Sequence, residues 1–281
     1  MYKDGKWARE IIQLQGKNGA WGYFHTLSEP NKNPITTEQA LRRLLILGYT
    51  IDDEPIQKAV EYMINCLSGN DELPDRREKV HNWDVFTDLM LSTWIRKFTL
   101  NNDKANLISD KWSMVISAAF TDGQYNHAEY LRAYNDLLLI KAKGGRILDF
   151  VNFYQVSLVA DNLNEVIENR LFDYILNHHN GIYYIYDKSL NMLPPEFKSK
   201  DASRYISAIE LLTAYKRNLG KLSFVVDWLM NNQNENGKWD MGSKANDKIY
   251  FPLSDSWRKV EDREIDCTYR IKKLINTIIY T

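Results

Sequence analysis

Five ionisable residues recur near the starts of candidate helices: Glu38, Asp84, Glu129, Arg204 and Asp266. A carboxyl group can pass a proton when its surroundings tune its acidity, and two facing carboxyls can act as acid and base on a glycosidic bond. Aromatic rings stand beside or just after these positions: Trp21 with His25, Trp83, Tyr130, Tyr205 and Tyr269. Ring faces stabilise a cation. Asp84, Glu129 and Asp266 are therefore the candidate catalytic residues. Glu38, Arg204, Trp21, His25, Trp83, Tyr130, Tyr205 and Tyr269 are candidate ligand contacts. The same residues admit a structural role, because acids at helix starts oppose the helix dipole or cap free N–H groups. Large rings also fill cores.

Other chemistries lack their residues. The histidines, His25, His81, His127 and the pair His178–His179, show no zinc-ligand spacing with cysteine, and the two cysteines, Cys66 and Cys267, stand far apart. His127 with Glu129 could hold a metal weakly, but the pair reads better as polar residues at a helix start. No phosphate-binding glycine loop, nucleophile elbow or dinucleotide fingerprint occurs. No metal and no cofactor is expected.

The elements that must position these residues are nearly all helical. The seven prolines punctuate the chain, and between them apolar residues recur at helical spacing over roughly 5–15, 37–47, 55–67, 84–98, 105–119, 127–142, 146–160, 163–178, 201–216, 221–232 and 263–279. Ile182–Tyr186 is the best candidate strand. Helices ending in a glycine–aromatic turn (Gly19–Trp21, Gly123–Tyr125, Gly181–Tyr183 and Gly237–Trp239) alternate with helices that open on Glu38, Glu129, Arg204 and Asp266. Asp84 follows Trp83 without a clear glycine turn. Glu38 to Asp84 spans 46 positions and Asp84 to Glu129 spans 45; the later gaps of 75 and 62 imply insertions. A two-helix unit repeated at that period predicts stacked αα-hairpins, each burying its apolar stripe on its neighbours.

Two of the turns carry a fuller signature. Trp7, Gln15, Gly19 and Trp21 form one copy; Trp228, Gln233, Gly237 and Trp239 form the other. These resemble the Gln-Trp repeats of the terpenoid cyclase and protein prenyltransferase superfamily, and Gly181–Tyr183 looks like a degenerate copy. The resemblance implies an all-α fold, an α/α toroid of about five to six helical hairpins in inner and outer rings, spanning 1–281 as one domain. The inner helices would then start at one mouth, bringing the five polar residues to a shared rim. Asp266-Cys267-Thr268 further resembles the start of the catalytic motif of oxidosqualene cyclases, where the aspartic acid protonates the substrate; here the motif continues with Tyr269-Arg270 instead of Ala-Glu.

The bulk properties narrow the partners. A net charge of −1 gives no general attraction to nucleic acid or anionic membrane. No apolar run approaches the ~18 residues of a membrane span. With no apolar leader at the start and no disulfide framework, a cytoplasmic setting is expected. The sequence leaves the oligomeric state open. Three functions fit: a pocket that binds or transforms an apolar, isoprenoid-like small molecule; a carbohydrate-active α/α barrel using Asp84, Glu129 and Asp266; or a non-catalytic scaffold for another protein.

Overall fold

The computed structural model describes residues 2–25, 33–79, 82–141 and 149–280. Among these residues the chain is all-α, with eleven α-helices. They are α1 (Lys6–Gln13), α2 (Thr37–Ile46), α3 (Glu54–Ser68), α4 (Trp83–Phe98), α5 (Asp103–Ala119), α6 (His127–Leu138), α7 (Phe153–Leu158), α8 (Glu165–Asn177), α9 (Lys200–Leu212), α10 (Ser223–Asn231) and α11 (Val260–Tyr280). The expected strand at Ile182–Tyr186 does not form. Only isolated bridges occur there, Asn152 with Tyr183 and Ile182 with Tyr186, because the chain turns back at Tyr184 (φ 74°) and the Tyr186 N–H returns to Ile182 O (3.0 Å). The predicted helix at 146–160 is shorter. Asn152 caps α7 by accepting from the N–H groups of Tyr154 and Gln155, which sets its start. Residues 142–148 lie outside the described set.

The helix boundaries follow local chemistry. Thr36 and Gln39 form a reciprocal capping box at the head of α2, the side chain of each accepting from the other's backbone N–H. Pro55 occupies the first turn of α3, where its missing N–H costs nothing. Asn126, Asn164 and Ser199 cap α6, α8 and α9.

Contacts divide the chain into two compact units. Unit 1 comprises 1–109 with 253–255; unit 2 comprises 110–252 with 256–281. In unit 1, α3 packs on α4 and α1 on α2. Seven consecutive residues of α4, Leu89 to Ile95, are buried, so this helix is covered all round. In unit 2, α7 packs on α9 and α10 on α11, while the 3-10 helix Lys216–Leu222 touches α8, α10 and α11. Nine of the 13 residues of α9 are buried. Among the described residues no helix is long and apolar enough to cross a membrane.

Candidate functional site

The two tryptophan turns share one set of hydrogen bonds. In the first, Gln15 Nε2 donates to Gly19 O (2.9 Å), Trp21 Nε1 to Ile11 O (2.7 Å), and the Trp21 backbone N–H to Thr37 Oγ1 (2.9 Å). In the second, Gln233 Nε2 donates to Gly237 O (2.8 Å), Trp239 Nε1 to Leu229 O (2.6 Å), and the Trp239 N–H to Thr268 Oγ1 (3.1 Å). Gly19 and Gly237 both take positive φ, 89° and 69°, which lets the chain reverse. The glutamine closes the turn and the buried indole ties it to the helix behind. Trp21 is thus a structural anchor. A looser version recurs at the third turn, where His178 Nδ1 lies 3.1 Å from Gly181 O.

Each full turn docks on a threonine of a helix that also carries a buried carboxylate: Thr37 beside Glu38 on α2, and Thr268 beside Asp266 on α11. In unit 1, Glu38 is 7% exposed and gathers an imidazole, a guanidinium and an indole. His25 Nδ1 lies 3.0 Å from Oε2, Arg42 Nη2 donates to Oε1 (3.1 Å), and Trp94 Nε1 donates to Oε1 (3.3 Å). The Asp75 carboxylate accepts from the backbone N–H groups of Phe24 (2.6 Å) and His25 (2.8 Å), fixing the loop that presents the imidazole. Burial pulls the His25 pKa down, but the hydrogen bond and charge of Glu38, with Asp75 and Glu78 beyond, outweigh it and leave the pKa raised. On α4, burial and the neighbouring Arg42 push the Lys97 ammonium down to about 8.

In unit 2 the buried polar residues meet on the facing sides of α9 and α11. Arg270 is 5% exposed. Its Nε and Nη2 donate to the two oxygens of Glu210 (2.8 and 2.7 Å), and Nη2 also donates to Ser207 Oγ (2.6 Å). Its guanidinium lies 5.1 Å from the Tyr250 ring centre and 4.9 Å from that of Phe251. One turn earlier on α11, the fully buried Asp266 accepts from Trp257 Nε1 (2.7 Å), and Trp257 packs on Phe251 with ring centres 4.6 Å apart. Among the described residues, Arg270 Nη1 and Ser203 Oγ have no hydrogen-bond partner, nor does either end of the buried Gln155 amide on α7. Buried polar atoms are normally satisfied by protein groups or by ordered water. The Cys267 thiol, pushed up to about 12 by burial, is no nucleophile.

The remaining candidate residues separate from these clusters. Asp84 has an 86% exposed side chain, 3.8 Å from Arg77. Glu129 is half-buried and bound to Arg132. Arg204 and Tyr269 are exposed. Trp83 leans on Phe86, which His25 also meets edge-on. Tyr130 is buried among the rings of Tyr125, Tyr134 and Phe150, and burial with neighbouring Tyr134 raises its pKa. The Tyr205 hydroxyl donates to Leu190 O (2.9 Å). No group of three or more His, Cys, Asp or Glu among the described residues is placed to hold a metal ion.

Sequence reasoning missed Arg42, Trp94 and Asp75 around Glu38, and Arg270, Glu210, Ser207 and Trp257 in unit 2. Arg270 follows Asp266 by four positions, so helical spacing alone places both on one face of α11. Comparison of the chain with protein-family models, curated proteins and solved structures finds no match.

Proposed function

We propose that this chain is a small-molecule-binding protein of the α/α-toroid type, taking an apolar, isoprenoid-like ligand at the polar centre of unit 2. The observation that carries this reading is the buried Arg270, held by Ser207 and Glu210 against the rings of Tyr250 and Phe251, with Asp266 bonded to Trp257 one turn earlier on the same helix. A buried charge must be paired, which Glu210 does for Arg270, and aromatic rings beside a few convergent polar groups are the usual make-up of a ligand site. The Gln-Trp turns favour the same family of folds. The carbohydrate-active reading draws no such support: Asp84 is solvent-exposed beside Arg77, and Glu129 is engaged by Arg132.

Trp257 makes the test direct, since its indole donates to Asp266. Farnesol titrated into the protein should change tryptophan emission and raise the melting temperature by about 5 °C or more at 100 times Kd. Trp257→Phe should lose most of the emission change. Absence of both signals with farnesol, farnesene and farnesyl diphosphate alike would refute the reading.

A further inference from the structure

Resting on that reading, we infer that the ligand's head is a single uncharged oxygen, a hydroxyl or carbonyl, received by Arg270 Nη1 and Ser203 Oγ, and that phosphorylated or carboxylated ligands are rejected. Ser203, Ser207 and Glu210 stand at i, i+4 and i+7 on α9, so they line one face of that helix. Arg270 is held against this face through its side edge, with Nε and Nη2 on Glu210. At the end of the guanidinium two N–H groups project in parallel. That of Nη2 meets Ser207 Oγ, and Nη1 beside it has no acceptor among the described residues. Ser203 lies four residues, about 6 Å along the helix axis, from Ser207, is fully buried, and its hydroxyl has no partner among the described residues. An oxygen placed beside Ser207 could accept from Nη1 and exchange a hydrogen bond with Ser203.

Charge decides which oxygen. The guanidinium is already neutralised by Glu210, and Asp266 adds a second buried carboxylate one turn away on α11. A diphosphate or carboxylate head would bring negative charge beside a guanidinium whose charge Glu210 already balances, in surroundings that screen little. A hydroxyl or carbonyl carries no such penalty and satisfies both open groups. A bare hydrocarbon would leave both unsatisfied.

Farnesol, farnesene and farnesyl diphosphate share one skeleton and differ at the head. Measured by tryptophan emission on the full chain, farnesol should bind about tenfold more tightly than farnesene, and farnesyl diphosphate more weakly than either. Ser203→Ala is small enough to fold and should shrink the farnesol–farnesene ratio below about threefold while leaving farnesene affinity unchanged. Equal affinities for farnesol and farnesene, tighter binding of the diphosphate, or an unchanged ratio in Ser203→Ala would each overturn the inference while leaving the ligand site standing. Binding of none of the three removes the site and the inference together.

Discussion

The turns at Trp21 and Trp239 make the same three hydrogen bonds, yet they sit in different surroundings. The first is walled in. A Cβ on Gly19 would lie 2.3 Å from the Lys58 carbonyl oxygen, and Gln15 Nε2 makes an extra bond to Pro55 O (2.8 Å), so this turn is clamped to α3. The second is open: a Cβ on Gly237 would meet only Gln233 Nε2, at 3.6 Å. The polar neighbours differ too. Thr37 leads to a carboxylate shared by an imidazole, a guanidinium and an indole; Thr268 follows a carboxylate that accepts from an indole. A repeated local device has thus been set against two unrelated polar centres. The device stabilises the helix ends, and the neighbourhood supplies whatever chemistry follows.

If the shared bonds are what hold both turns, removing either indole should be severe. Trp21→Ala and Trp239→Ala each delete a buried ring and remove the indole bond to a helix-end carbonyl, which keeps its bond from a backbone N–H. Each should cost about 3–5 kcal/mol in urea unfolding. Near-neutrality of one of them would break the equivalence. The glycines then separate the two turns. Gly237→Ala strains only the left-handed backbone and should cost about 1–2 kcal/mol. Gly19→Ala adds a collision with a backbone carbonyl that cannot rotate away, and should cost clearly more in the same assay. Equal costs would mean that α3 yields freely and the clamp is not real.

How much of this was legible in sequence follows from distance along the chain. The Gln–Gly–Trp turns were readable because the glutamine and indole bonds common to both close within about ten residues. The helices were readable because periodicity and caps are local. Asp266 stood out through its neighbours, and Arg270 could have been added by helical spacing. Glu210 gave no such signal: it meets Arg270 across 60 positions, and nothing in either local segment announces the pairing. Trp257 reaches Asp266 across a non-helical bend, where periodicity says nothing. Asp84 and Glu38 looked alike at equivalent helix starts, yet one is exposed and the other buried, because burial depends on what packs over the helix end.

The finest contrast lies just downstream of each turn, where the two titrating groups are shifted in opposite directions. Four residues after Trp21, His25 has its pKa raised by Glu38, with Asp75 and Glu78, against the opposing pull of burial. A raised pKa means the folded state holds the proton more tightly. The resulting stability is complete below the ordinary histidine value of about 6.5 and is lost as pH climbs through the folded value. Immediately after Trp239, burial pushes the Asp240 carboxyl up, but the hydrogen bond of Arg263 (Nε, 2.9 Å), the Gly242 N–H (2.8 Å) and the charge of Arg263 outweigh it, and the pKa falls. That contribution is complete above the ordinary aspartate value of about 3.9 and is lost as pH drops through the folded value. The urea midpoint should therefore decline on both sides of neutrality for separable reasons. His25→Gln should flatten the alkaline limb alone, and Asp240→Asn the acid limb alone. A substitution that flattened the opposite limb, or both, would show that the two neighbourhoods are not chemically distinct.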